Sequence, residues 1–169
     1  MATAAAIAKV RTYSPAETQR LGQVFGQALA AGDLVNLQGD LGAGKTLFVK
    51  GIARSLGYDP EDVQSPTFTL VHEHRGGRLD LFHLDLYRLD DPLGDVEASG
   101  LDEYLDPRDG VTAVEWGERA REALAARRFD VAFEVLPDGR RVTFWARGME
   151  PRRLEAVRNA IRSAGFQAE

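Results

Sequence analysis

The sequence predicts an α/β fold: a mixed sheet with helices on both faces and an antiparallel C-terminal hairpin. Three observations predict it. Short apolar runs alternate with stretches of helical periodicity along the chain, the pattern of strands and helices layered together. Hairpin signals at Arg75-Gly76-Gly77-Arg78 and at Asp138-Gly139 interrupt that alternation and bring antiparallel pairs into the sheet. A glycine-rich turn leads from the second apolar run straight into a helix.

Bulk properties limit the function classes. The 169 residues fit one domain spanning 1–169, since about 150 residues is the usual single-domain allotment. There are no cysteines, which excludes disulfides, zinc fingers of the usual kind and thiol catalysis. No run reaches the roughly 18 apolar residues of a membrane span, and the first residues lack the basic region of a signal peptide. A soluble, cytoplasmic protein is expected, with no membrane partner. The net charge of −5 is unevenly spread: twelve acids face only Arg88 and Arg108 between Asp80 and Glu118, whereas nine arginines face six acids from Arg127 onward. A uniformly basic face for nucleic acid is missing, so any RNA should be held mainly by another subunit. Arg152, Arg153, Arg158 and Arg162 on the last helix read as a solvated basic face ahead of a docking or RNA-contacting surface.

The elements follow in order. Ile7 to Tyr13 is a short strand. Ser14 caps a helix, with Pro15 at its first position and Glu17 closing a capping box; Leu21, Val24, Phe25 and Leu29 make its apolar stripe to about Ala31. Leu34 to Leu37 is a buried strand, and Lys45 to Leu56 the next helix, stopped near Gly57. Thr67 to His74 and Leu79 to Tyr87 are strands joined by the first hairpin. In the second of them His83, Asp85 and Tyr87 point away from Phe82, Leu84 and Leu86. Helical turns occupy Pro92 to Tyr104, a buried strand Val111 to Val114, and a polar helix Gly117 to Ala126. Phe129 to Leu136 pairs with Arg140 to Trp145, and Glu150 to Ala164 is the closing helix.

Gly39-Asp40-Leu41-Gly42-Ala43-Gly44-Lys45-Thr46 matches the Walker A pattern, with the strand before and the helix after that the pattern requires. Glycines let backbone N–H groups converge on phosphate oxygens, and the helix N-terminus adds a favourable dipole. Lys45 would meet the β- and γ-phosphates and the Thr46 hydroxyl would ligate magnesium. Asp40, Leu41, Gly42, Ala43, Gly44, Lys45, Thr46 and Leu47 are therefore the nucleotide-binding candidates, and ATP with Mg2+ the expected cofactors. A P-loop also needs an acid at the C-terminal end of a neighbouring strand. Asp85 and Glu115 both stand at such ends, Asp85 as the natural Walker B candidate. Ser65-Pro66-Thr67 lies where many nucleotidases carry a segment that senses the γ-phosphate. His72 and His74 share a strand face with no third ligand nearby, and no metal or acid–base role is assigned to them or to His83.

Asp40 to Thr46, Ser65-Pro66-Thr67-Phe68-Thr69-Leu70, His83-Leu84-Asp85-Leu86-Tyr87-Arg88 and Val114-Glu115-Trp116 occur in that order. The set resembles the TsaE family, the ATPase component of bacterial threonylcarbamoyladenosine tRNA modification, over about Ser14 to Arg147. The resemblance implies a P-loop NTPase-like fold and a magnesium-dependent ATPase. It also implies two partner subunits of the sugar-kinase-like fold, which carry the transferase chemistry and bind the tRNA. Position by position, it implies that Gly42 to Thr46 hold phosphates, that Asp85 and Glu115 handle magnesium and water, that Trp116 sits near the nucleotide, and that Ser65, Pro66 and Thr67 form a switch. Arg140 matches a family Gly-Arg pair and is expected to reach the nucleotide. The chain departs from the common pattern at Leu47, His72, His74 and Gly117, none of which replaces a required group.

Two other readings compete. A small P-loop kinase would phosphorylate a metabolite, but the acidic stretch from Asp90 to Asp109 disfavours a phosphorylated acceptor. A nucleotide-responsive binding module would lack turnover, and would differ only in whether Asp85 and Glu115 position a water.

Overall fold

The computed structural model describes residues 4–66 and 70–169. Seven strands form one sheet: β1 (Ala4–Thr12), β2 (Leu34–Gln38), β3 (Val71–His74), β4 (Leu81–Asp85), β5 (Val111–Glu115), β6 (Arg128–Leu136) and β7 (Gly139–Arg147). Their spatial order is β1-β7-β6-β2-β5-β4-β3. Strands β6, β2, β5 and β4 pair in parallel; β7 runs antiparallel between β1 and β6, and β3 antiparallel to β4. This is the mixed sheet of a P-loop NTPase-like fold, with the antiparallel β6–β7 hairpin that the sequence predicts.

Helices α1 (Pro15–Gln27), α2 (Lys45–Ser55) and α4 (Pro151–Ser163) cover one face. Leu21, Phe25, Phe48, Ile52, Val157 and Ile161 meet Val35, Leu37, Val131 and Phe144 of the sheet there. Phe25 is the hub: its ring lies 5.6, 5.2 and 5.3 Å from those of Phe48, Phe129 and Phe144. On the other face α3 (Pro92–Ser99) and 3-10 turns place Val96, Leu101, Ala120 and Leu124 against Leu34, Leu84, Leu86 and Val114. Alternation along β2 and β5 divides their side chains between the two cores. No helix among the described residues is long and apolar enough to cross a membrane.

The start of α1 follows the expected capping with one shift. Ser14 Oγ accepts the Glu17 N–H at 3.1 Å, but the Glu17 carboxylate takes the N–H of Tyr13, one residue before the cap, at 2.6 Å. The helix ends at Gln27, not near Ala31. The Asp33 carboxylate captures the Ala30 N–H, and Arg153 of α4 binds both Asp33 and the Ala28 carbonyl, so tertiary contacts override the alanines' helix propensity. The polar helix expected from Gly117 to Ala126 is instead 3-10 structure over Gly117–Ala123, broken at Ala120 (φ −131°, ψ 45°). Burying Ala120 and Leu124 under the sheet takes precedence over a regular helix. Of the strand predicted from Thr67 to His74, residues 67–69 lie outside the described residues.

Helices α1 and α2 touch backbone to backbone. A Cβ on Gly51 would lie 2.0 Å from the Gln19 carbonyl oxygen, and one on Gly22 only 2.2 Å from that of Phe48. Gly51→Ala is therefore expected to push the pair apart and destabilise the fold by about 1–3 kcal/mol, seen as a lower thermal midpoint by circular dichroism. An unchanged midpoint would show that the two helices yield at no cost.

Candidate functional site

The parallel strands all end at one edge of the sheet. The chain leaves β2 there through Gly39, whose φ of +147° and approach to Phe133 (a Cβ would sit 2.7 Å from its carbonyl oxygen) require glycine. It re-enters a helix through Gly44, the left-handed N-cap of α2 at φ +112°. The loop between is the Walker A segment, placed where the N-terminal amides of α2 are free of intrahelical partners.

Lys45, only 4% exposed, donates from Nζ to the Gly39 carbonyl at 2.6 Å and stands 3.7 Å from the centre of the Trp116 ring. Burial holds its ammonium below lysine's ordinary pKa, against the opposing pull of Glu115, Glu118, Asp85 and Asp40. Trp116 is itself in the left-handed region (φ 62°), and its indole also meets the Tyr87 ring, 5.0 Å between centres. The next residue, Thr46, donates its hydroxyl to both oxygens of Glu115, at 3.2 and 3.1 Å.

Glu115 is 3% exposed at the tip of β5, the strand beside β2. Its register partner across β4–β5 is Asp85, and the Leu86 N–H bonds the Glu115 carbonyl at 3.0 Å, which locks the two strand ends together. Asp85 accepts the Ser65 hydroxyl at 2.8 Å and the Tyr87 N–H at 2.9 Å. Lys50, one turn beyond Thr46 on α2, donates to the carbonyls of Pro60 and Val63 at 3.0 and 2.7 Å, holding the loop that delivers Ser65.

A cavity of about 330 Å³ is lined by Leu41, Gly42, Gly44, Lys45, Thr46, Leu47, Ser65, Asp85, Glu115 and Trp116. Residues from four separated stretches of sequence thus meet in one place. Pro66 lines an adjoining cavity with Leu41, Ser65, Asp85, Tyr87 and Arg88, while Thr67 lies outside the described residues. Asp40 and Ala43 shape the loop itself: the Asp40 carbonyl accepts the Ala43 N–H at 3.1 Å. Arg140 does not enter this cavity. It reaches across from the start of β7 to the carbonyls of Ala43 (3.1 Å) and Gly42 (3.4 Å), and lines a second cavity of about 210 Å³ with Tyr13, Ser14, Gly42, Gly44 and Leu47.

One contact was not anticipated from sequence. His83, fully buried on β4, places Nε2 2.6 Å from Glu115 Oε2. The signal was available in strand alternation, which sets His83 and Asp85 on the same face.

The oxygen donors at this site, the hydroxyls of Thr46 and Ser65 and the carboxylates of Asp85 and Glu115, have the hard character that magnesium prefers, and magnesium commonly takes one or two carboxylates together with substrate phosphates. The residues therefore fit the ion that the motif implies.

The family model described as Threonylcarbamoyl adenosine biosynthesis protein TsaE matches residues 12–142. The chain belongs to the TsaE family. A Bacillus subtilis protein named tRNA threonylcarbamoyladenosine biosynthesis protein TsaE is 41% identical over 141 residues, which cover 83% of this chain and 86% of that one. A Treponema pallidum protein of the same name is 44% identical over 128 residues, 76% of this chain and 92% of that one. The crystal structure of Bacillus subtilis YdiB superposes with a TM-score of 0.72 at 32% identity, covering 98% of this chain and 99% of that one. In the sheet the motif strand β2 is flanked by β5, which carries Glu115 at its tip, whereas Asp85, the expected Walker B acid, ends β4, one strand farther out.

Proposed function

We propose that this chain is a single-domain cytoplasmic ATPase of the bacterial tRNA threonylcarbamoyladenosine modification machinery, and that it acts on a partner transferase complex. The observation that carries the reading is the hydrogen bond from Thr46, first turn of the P-loop helix, to Glu115 at the tip of the adjacent parallel strand. A hydroxyl and a carboxylate held together beside a phosphate-binding loop are what binding of magnesium and a nucleoside triphosphate requires. The names borne by the relatives supply the pathway.

In this reading the N–H groups of Gly42 to Thr46 bind the phosphates, and Lys45 leaves the Gly39 carbonyl and the Trp116 face to meet the β- and γ-oxygens. Thr46, together with one of the pair Glu115 and Asp85, would hold magnesium, which would supply charge neutralisation at the phosphates. The acid that is not a direct ligand orients the attacking water. The nucleoside then lies toward Tyr13 and Arg140, on the side of β2 away from Glu115, where the second cavity opens. Ser65, bonded to Asp85, couples the preceding loop to the state of the γ-phosphate, and with Pro66 and Thr67 it forms the switch.

Turnover by the isolated chain is expected to be low, because partners often complete the charge-neutralising parts of such sites. The partners are sugar-kinase-like transferase subunits, through which tRNA is met indirectly. Phosphate release should be measured with the purified chain alone, with those subunits, and with a panel of metabolites. Stimulation by the subunits supports the reading. Phosphate transferred to a metabolite, with indifference to the subunits, replaces it with the small-kinase alternative.

A further inference from the structure

His83 is an expensive residue to bury. Its side chain is inaccessible to solvent in the face of the sheet covered by α1 and α2, and Nδ1 is buried with no hydrogen-bond partner among the described residues. Among the described residues, the ring's one polar tie is the 2.6 Å contact from Nε2 to Glu115 Oε2. A carboxylate only accepts, so Nε2 carries the hydrogen of this bond. Glu115 has two side-chain partners among the described residues: Thr46 on the cavity side and His83 on the interior side. When the Thr46 hydroxyl turns to a metal ion, His83 is the anchor that remains.

We propose that His83 is a positioning residue for Glu115: its Nε2–H fixes the carboxylate in the orientation in which magnesium, or the water it handles, is met. The parallel register makes this possible. His83 pairs with Ala113 and Asp85 with Glu115, so an imidazole two residues before the strand end reaches diagonally across to the acid on the next strand. Such outer partners of metal-binding carboxylates set both orientation and basicity. The inference rests on the reading of Glu115 given under the proposed function.

The test is calorimetric titration of ATP, with magnesium and with EDTA, into the full chain carrying His83→Phe or His83→Gln, each also combined with Glu115→Gln. His83→Phe is expected to lose roughly 10- to 100-fold of the magnesium-dependent gain in ATP affinity, with the affinity in EDTA unchanged. The glutamine amide reaches the Nε2 position, so His83→Gln should recover most of that gain. In the Glu115→Gln background, His83→Phe should add nothing. Should His83→Phe not fold, His83→Met fills the space without a donor and carries the same comparison. Wild-type magnesium dependence in the donor-free variant, or an equal loss in the Glu115→Gln background, overturns the proposal alone. A wild-type chain whose ATP affinity ignores magnesium overturns the functional reading as well.

Discussion

Glu115→Gln is expected to lower ATP hydrolysis by about 100-fold or more while ATP still binds. The substitution keeps the shape of a side chain that is 3% exposed and wedged between Thr46 and His83, so packing changes little. It removes the negative charge that faces the metal position, and turns a group that only accepts hydrogen bonds into one that also donates. Binding persists, without its magnesium-dependent gain, because the phosphates are also held by the loop amides and Lys45. Single-turnover phosphate release and calorimetry, run on the same preparation, separate the two effects. Turnover close to that of the wild type would remove Glu115 from the site. Asp85→Asn run beside it should also lose turnover, and the larger loss marks the acid nearer the reaction.

Lys45→Ala is expected to weaken ATP binding by about 10- to 100-fold, the worth of charged hydrogen bonds to the phosphates. Lys45 donates to the Gly39 carbonyl and covers the Trp116 ring at the margin of the second core, and Lys45 itself belongs to neither core, so the fold should survive. A pH dependence follows with a definite sign. Burial lowers the Lys45 pKa, so in the free protein the ammonium is present at low pH and lost as pH rises through that lowered value. ATP affinity should therefore decline at a less alkaline pH than an exposed lysine would allow, and Lys45→Arg should abolish the decline. Calorimetry across the alkaline range checks both. Equal affinity in Lys45→Ala and the wild type would sink the P-loop reading.

Much of the architecture was legible from local patterns. Ser14, Pro15 and Glu17 mark the start of α1, and glycines at 39, 42 and 44 followed by Lys45-Thr46 mark the loop and the start of α2. Asp85 and Glu115 were found because strand ends are read from apolar runs, and each acid follows one. Alternation likewise put His83 on the face of Asp85, but alternation names a face and not the neighbour across it. Trp116 was expected near the nucleotide, yet neither its left-handed backbone nor its place over Lys45 has a local signature.

Sequence by itself thus determined most of the elements, the loop and the place of Asp85 and Glu115 at strand ends, but not the end of α1 or the 3-10 form of Gly117–Ala123. Tertiary structure alone decided what they touch. The His83–Glu115 bond spans 32 residues and needs β4 laid in parallel beside β5; the Arg140 contact with the loop carbonyl of Ala43 spans 97; the Arg153–Asp33 pair that helps stop α1 spans 120. Parallel strands are joined by long crossovers, and their neighbours and register are set by burying two hydrophobic faces at once, a condition on the whole sheet that no window of sequence contains.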